Sequence, residues 1–89
     1  MSGEQAITLY VGNLPWSTTD GDLARLFRQF ADVAAARIAR DRRTGRSQGY
    51  GFVDLAAGAR AESVCEVLDG CRLNGRQLAV RPARSRHIG

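Results

Sequence analysis

The sequence has 89 residues, enough for one small domain with a single two-layer core. It contains no apolar run long enough to cross a membrane and begins without the basic and apolar stretches of a signal peptide, so we expect a cytoplasmic protein that does not associate with membranes. The two cysteines lack metal-type spacing and the one histidine lies near the C-terminus. We therefore expect no metal, no cofactor and no disulfide.

The net charge is +4, and all 13 basic residues are Arg. Five arginines fall within residues 37–46 against one acid, and three more close the chain without any acid, whereas acids gather around two predicted helices. This asymmetry favours a surface that binds a polyanion. Arginines that only keep the loops solvated are the alternative interpretation.

The first half of the chain predicts a strand, a helix and a second strand. Residues 7–13 alternate, with Tyr10 on the outward side. Residues 17–20 offer helix N-caps, and an apolar stripe at i, i+3, i+4 and i+7 then predicts a helix. The stripe consists of Leu23, Leu26, Phe27 and Phe30. Trp16, in the loop before this helix, is interpreted as a packing anchor, with a platform for a base as the alternative. Residues 33–40 are predicted to form the second strand.

A polar segment, residues 41–47, is predicted to be a long mobile loop leading into the third strand, residues 48–55. Alternation sends Gln48, Tyr50, Phe52 and Asp54 to one side of that strand. Two rings on the polar side indicate a surface on which flat ligands can stack.

The second half predicts a helix from the spacing of its apolar residues, ending at a glycine C-cap. The helical face consists of Ala61, Val64, Cys65 and Leu68. An Asn-Gly turn then leads to a fourth strand, residues 77–81, with Leu78 and Val80 inward. The order βαββαβ predicts a ferredoxin-like α+β sandwich, in which two helices cover one face of a four-stranded antiparallel sheet.

With this order of elements and the two segments named next, the chain resembles an RNA recognition motif domain, and more closely the small single-domain bacterial RNA-binding proteins of that family. The segment from Gln48 to Leu55 corresponds to the longer signature of the family, and the segment from Leu9 to Leu14 to the shorter one. Gln48 replaces the usual basic residue, and Leu55 the usual aromatic. We expect the domain to span residues 7–83, between an N-terminal tail, 1–6, and a basic tail, 84–89.

The resemblance implies a non-catalytic protein that binds single-stranded RNA, with Tyr10 and Phe52 each stacking a base and Tyr50 packing against riboses. It implies base-edge contacts from Gln48, Asp54 and Gln77. The arginines would hold phosphates, and those expected to do so are Arg37, Arg42, Arg43, Arg46, Arg81 and Arg84. The residues do not distinguish RNA from single-stranded DNA, or a sequence-specific regulator from an RNA chaperone.

Three alternatives remain open at this stage. The domain can instead be a protein-interaction module that uses its helical face, or the segment 84–88 can mask the sheet. Asp54 can pair with an arginine such as Arg37 rather than contact a ligand.

Overall fold

The computed structural model describes residues 7–56 and 60–83 of the chain. The helices are α1, Asp20–Arg28, and α2, Ala61–Leu68. The strands are β1 Ile7–Gly12, β2 Val33–Arg40, β3 Ser47–Leu55, β4 Arg72–Leu73, β5 Arg76–Gln77 and β6 Ala79–Pro82. Four strands form an antiparallel sheet in the order β2-β3-β1-β6, and β4 and β5 form a separate hairpin. The ferredoxin-like sandwich predicted from the sequence is confirmed.

The core lies between the helices and one face of this sheet. Leu9 of β1 and Val53 of β3 are fully buried, as are Leu23 and Phe27 of α1, whereas Ile7 at the start of β1 is exposed. Alternation along the central strands sends every second residue into this layer and its neighbours to the opposite face. The face opposite the helices, called here the ring face, therefore remains open.

The start of α1 is fixed by a reciprocal cap. The Asp22 backbone N–H donates to the Thr19 hydroxyl at 3.0 Å, and the Thr19 backbone N–H donates to the Asp22 carboxylate at 3.1 Å. Hydrogen bonding to the Asp22 carboxyl by the Thr19 backbone N–H first, and by the Thr19 side chain second, lowers the pKa of Asp22. The helix ends at Arg28, and Phe30 in the following turn is 45% exposed. The prediction that Phe30 continues the buried stripe is therefore wrong, because the helix ends before reaching it.

The fourth strand of the sheet begins later than predicted. Leu78 and Val80 are buried as expected, but Gln77 belongs to β5 and pairs with Arg72. The hairpin turn at Asn74 and Gly75 has positive φ at both residues, as its Asn-Gly sequence predicts. The Leu78 N–H donates to the Cys71 carbonyl and the Leu78 carbonyl accepts from the Gly70 N–H, so Leu78 separates β5 from β6.

The second helix packs through Val64 and Leu68, both buried as predicted. Cys65, expected to be a small buried residue, is only partly buried and packs against the core, and both cysteines are free thiols. Burial first, and then the carboxylates of Asp69 and Glu62, raise the pKa of the Cys65 thiol. This thiol is therefore protonated at neutral pH and is a poor nucleophile.

Candidate functional site

Three aromatic rings meet on the ring face of the sheet. Tyr10 of β1 is the direct cross-strand partner of Phe52 of β3, and Tyr50 lies two residues before Phe52 on the same side. Ring centroids are 6.0 Å apart for Tyr10 and Phe52, 5.8 Å for Tyr10 and Tyr50, and 5.9 Å for Tyr50 and Phe52. All three side chains are partly exposed. Tyr10, Tyr50 and Phe52 thus form one cluster, called here the ring platform, supported by two central strands.

An arginine stands at each side of the platform. Arg37 of β2 is the cross-strand partner of Phe52, and Arg81 of β6 is the partner of Tyr10. Directly opposite residues of antiparallel strands share a face, so Arg37, Phe52, Tyr10 and Arg81 form one row across four strands. Ile38 is buried and Arg37 exposed, as the alternation of β2 predicts. The row places a cation on each side of two flat apolar rings.

Both flanking arginines are exposed and available to a ligand. Within residues 7–56 and 60–83 the one ion pair joins Arg25 and Asp22 on α1, so neither Arg37 nor Arg81 is engaged by a described carboxylate. Arginine binds phosphate bidentately and also stacks on flat groups. These two side chains therefore suit an anionic ligand that crosses the platform.

The neighbouring row carries a polar pair instead of rings. The Thr8 hydroxyl donates to the Asp54 carboxylate at 2.6 Å, across β1 and β3. Within residues 7–56 and 60–83 Asp54 and Arg37 form no ion pair, so the alternative pairing of these two side chains is not observed. A carboxylate has further acceptor sites, so Asp54 can still accept a hydrogen bond from a base edge.

Two glycines bring the backbone close to its neighbours. A Cβ on Gly12 would lie 2.9 Å from two ring carbons of Tyr10, so the ring rests against the bare backbone of β1. On the opposite face, a Cβ on Gly51 would lie 2.5 Å from the Arg37 carbonyl oxygen and 3.2 Å from Leu23. Gly51 therefore permits α1 and β2 to pack closely against β3.

Gln48 is separated from the ring platform by a bulge. Between the pairs Ile38–Gly51 and Arg40–Ser47, β3 contains more residues than β2, and Gly49 has φ +84°. Three residues of β3 there oppose one residue of β2, an even difference that keeps the in-and-out phase of the strand, so the assignment of Gln48 to the face of Tyr50 stays a prediction. Gln48 is exposed at the beginning of β3.

Gln77 lies off the main sheet. It is exposed in the β4–β5 hairpin, and its backbone carbonyl accepts from the Asn13 side chain at 2.7 Å. Arg76 in turn donates to the Asn13 side-chain oxygen at 2.6 Å. The structure therefore does not bring Gln77 into the row of the platform, contrary to its assignment to the fourth strand.

The turn between β2 and β3 is closed by its own hydrogen bonds rather than forming a long free loop. The Asp41 N–H donates to the Arg46 carbonyl at 2.9 Å, and the Asp41 carboxylate accepts from the N–H groups of Arg43 and Thr44. Arg42, Arg43 and Arg46 are exposed on this turn. Arg84 lies outside the described residues, as do both predicted tails.

Trp16 is not the packing anchor that the sequence suggested. Its side chain is 67% exposed, on the loop between β1 and α1. With Arg40, Arg46 and Ser47 it lines a surface groove of about 520 Å³, called here the Trp16 groove. The tertiary position of a loop decides whether such a ring is covered, so local sequence did not reveal its exposure.

The described residues offer little to other kinds of site. Residues 7–56 and 60–83 contain no cluster of His, Cys, Asp and Glu side chains that could hold a metal ion. None of the helices in these ranges has the length and apolar character needed to span a bilayer.

Comparison with known proteins gives one consistent family. Residues 9–79 match the family model described as RNA recognition motif. The chain is 43% identical over 83 residues to a chloroplastic 31 kDa ribonucleoprotein of Nicotiana sylvestris, covering 93% of this chain and 26% of that protein. It is 39% identical over 80 residues to the putative RNA-binding protein RbpE of Nostoc, covering 90% of this chain and 81% of that protein. For three of the curated relatives, the chain spans between 26% and 48% of their length.

Solved structures agree with the sequence matches. This chain superposes on the crystal structure of RNA binding protein PG1 with a TM-score of 0.84 and 38% sequence identity. The superposition covers 92% of this chain and 99% of that one. A Sex-lethal protein–RNA complex has a TM-score of 0.83 at 35% identity, covering 93% of this chain and 50% of that one.

Proposed function

Because this chain belongs to the RNA recognition motif family, whose RNA-binding proteins are non-catalytic, we propose that it binds single-stranded RNA on the ring face of its sheet. The observation that carries the proposal is the row from Arg37 through Phe52 and Tyr10 to Arg81. Two partly exposed rings on rigid strands, with a cation on each side, match a ligand with flat bases and a phosphate backbone. We take the binding domain to be residues 7–83.

In this proposal Tyr10 and Phe52 each stack one base of two successive nucleotides, while Tyr50 packs against the riboses between them. The centroids of Tyr10 and Phe52 are 6.0 Å apart, and the rings are inclined at 65° to each other. Their inclination gives the two bases different orientations, which a flexible single strand accommodates and a base-paired duplex does not. Stacking of this kind discriminates little between bases, since every base has a π-face.

Phosphate contacts come from Arg37 and Arg81 at the sides of the platform and from the turn arginines near the start of β3. Gln48 supplies no charge at the first signature position, so the cations of the interface lie on neighbouring strands. Base edges are contacted by Asp54, whose carboxylate already accepts one bond from Thr8, and by Gln48 beyond the bulge. Gln77 and Arg84 stay in the proposal as peripheral contacts only.

Replacing Tyr10 and Phe52 together by Ala tests the proposal. Each stacked base contributes about 1–3 kcal/mol, so the double variant should bind short single-stranded RNA at least roughly 25-fold more weakly. Affinity is measured by fluorescence anisotropy with labelled RNA recovered by selection from a random pool at fixed salt. The same titration with single-stranded DNA of that sequence measures discrimination between the two nucleic acids.

Phe30→Ala is the matched control, because it removes an exposed ring from the helical side of the molecule. It should leave affinity unchanged, and circular dichroism should show both variants folded. Binding that survives the double substitution would overturn the stacking mechanism. If the RNA leaves the protein's amide signals unmoved while a protein ligand shifts those of α2, the interaction-module alternative takes its place.

The chloroplastic, mitochondrial and cyanobacterial proteins among the relatives occupy different compartments. The cytoplasmic location therefore stays a prediction from the sequence.

A further inference from the structure

The two arginines that flank the ring platform lie on the outer strands of the sheet. Arg37 belongs to β2 and Arg81 to β6, the first and last strands in the order of the sheet, whereas the rings lie on the two central strands. An edge strand carries a row of N–H and C=O groups without ladder partners, so the ladder holds it less firmly than a central strand. The places of the two cations therefore depend on what else holds β2 and β6.

Both outer strands are irregular close to their arginine. The register of β2 against β3 shifts between Ile38 and Arg40, directly after Arg37. The other outer strand, β6, has four residues, follows the interruption at Leu78 and ends at Pro82, which has no N–H to donate. Ladder hydrogen bonds alone therefore constrain these two segments weakly.

An aspartate from the helical side of the sheet holds each outer strand next to its arginine. The Ile38 N–H donates to the Asp20 carboxylate at 2.8 Å, and the Val80 N–H donates to the Asp69 carboxylate at 3.0 Å. Asp20 is the first residue of α1, and Asp69 directly follows α2. Both donor residues have buried side chains and are direct sequence neighbours of the flanking arginines. The same arrangement thus occurs at both edges of the sheet.

The peptide group between Arg37 and Ile38 is held from two sides. Its N–H binds Asp20, while its carbonyl lies against the bare backbone of Gly51, since a Cβ on Gly51 would lie 2.5 Å from that oxygen. Because side chains alternate along a strand, a backbone fixed with Ile38 in the core directs Arg37 to the ring face. The bond to the Val80 N–H has the same effect at the other edge, where the next residue is the second arginine.

We propose that Asp20 and Asp69 are positioning residues for RNA binding. Each carboxylate acts through the backbone N–H that it binds, and so fixes the neighbouring arginine where a phosphate can reach it. An arginine whose strand is already held in place loses less freedom on binding, so its phosphate contact contributes more to affinity. This inference rests on the proposed function, since it explains how the two cations are kept beside the rings.

Paired substitutions separate the hydrogen bond from the charge of the aspartate. Asp20→Asn keeps a side-chain oxygen that can accept from Ile38, whereas Asp20→Ala removes it, and both remove the same charge. The probe is the short single-stranded RNA selected from a random pool, titrated by anisotropy with the full chain at several salt concentrations. Relative to Asp20→Asn, Asp20→Ala should bind this RNA more weakly, and its slope of log affinity against log salt should be smaller by up to about 0.7, the contribution of one phosphate. Asp69→Ala should differ from Asp69→Asn in the same way.

Combination with the arginine variants gives a readout that a general loss of stability would not move. In the Asp20→Ala background, Arg37→Ala should cost at least roughly twofold less affinity than in the Asp20→Asn background, because the contact is already impaired. The crossed pair, Asp20→Ala with Arg81→Ala, should be additive, since these residues lie at opposite edges of the sheet. The cycle of Asp69 with Arg81 is an independent second test, which decides the proposal if the Asp20 variant does not fold.

Glu66 provides the matched control, because it is an exposed acid of α2 that takes part in neither of the two hydrogen bonds. Glu66→Ala and Glu66→Gln should bind RNA with equal affinity and equal salt slope. Urea unfolding should show that each variant compared is folded at the temperature of the titration.

Two kinds of result distinguish this proposal from the proposed function. If the Ala and Asn variants had equal affinity and equal salt slope at both aspartates, or if the direct and crossed pairs were equally additive, the positioning role alone would be refuted. If Arg37→Ala and Arg81→Ala themselves left affinity and salt slope unchanged, the phosphate contacts of the proposed function would be refuted, and the positioning role with them.

Discussion

At the scale of single residues, the ring platform depends on a position that has no side chain. Gly12 shares the ring face with Tyr10, and the Tyr10 ring lies over its Cα. Gly12 lies in the segment that corresponds to the shorter family signature, but the sequence alone does not explain why a glycine is needed there. The geometry supplies one, since any Cβ there would occupy the space of the ring.

Gly12→Ala should therefore displace the Tyr10 ring and weaken RNA binding while leaving the fold in place. Gly12 has no positive φ, so the cost arises from the contact with the ring and not from backbone strain. We expect a loss of up to about tenfold in affinity, the scale of one impaired stacking contact, measured by anisotropy titration.

Gly21→Ala is the matched control for this substitution. Its Cβ would find no atom nearer than the Thr19 hydroxyl at 3.8 Å, and it lies in the first turn of α1. It should raise the unfolding free energy by up to about 1 kcal/mol without changing affinity. An unaltered affinity in the Gly12 variant would show that the Tyr10 orientation is not important for binding.

At the scale of elements, local patterns predicted most of the structure, and the errors occur where distant contacts decide. Alternation correctly placed Tyr50 and Phe52, and the Asn74–Gly75 turn was evident from its residues. The bulge at Gly49 was not, because it depends on pairing with both β1 and β2. The loop that carries Trp16 is anchored at the same bulge, by the hydrogen bond from the Leu14 N–H to the Gly49 carbonyl.

The cap formed by Thr19 and Asp22 stabilises the start of the first helix, and the pH dependence of stability tests this contribution. Because hydrogen bonds with Thr19 lower the pKa of Asp22 in the folded state, its ionised form adds stability above its usual pKa. That stability is lost as the pH falls below about 4, through the folded-state value. Asp22→Ala should therefore lower the unfolding free energy more at pH 7 than at pH 2.5, in urea titrations at both pH values.

Thr19→Ala removes the other half of the cap and should cost about 1 kcal/mol at pH 7. Ser17→Ala is the control, since Ser17 is exposed in the same loop but does not cap the helix. The proposed role of the ionised carboxylate would be contradicted if wild type and the Asp22 variant differed in unfolding free energy by the same amount at both pH values.

At the scale of the whole molecule, the two layers carry different surfaces. The ring face presents aromatic rings flanked by arginines, whereas acids predominate on α2. The charge asymmetry seen in the sequence thus lies between the ring face and α2, whereas α1 carries acids and arginines together. The sequence could not show that Arg37 and Arg81 fall in one row with Phe52 and Tyr10, because the register of four strands is a property of the assembled sheet.

Salt dependence tests this distribution of charge. For single strands the logarithm of affinity falls with the logarithm of salt concentration by about 0.7 for each phosphate neutralised. Arg37→Ala and Arg81→Ala should each reduce that slope by about this amount. Arg28→Ala removes the same charge from the exposed side of α1 and should leave the slope unchanged. If all three substitutions reduced the salt slope equally, RNA would be attracted by the net charge of the protein and not by specific arginines.

The most direct measurement of the central claim is an NMR titration of the full chain with the selected single-stranded RNA. We expect the ring protons of Tyr10, Tyr50 and Phe52 to shift most, together with the amides of Arg37 and Arg81, while the exposed face of α2 stays unmoved. Shifts confined to the helices, with the ring protons unchanged, would contradict the claim that RNA lies on the open face of the sheet.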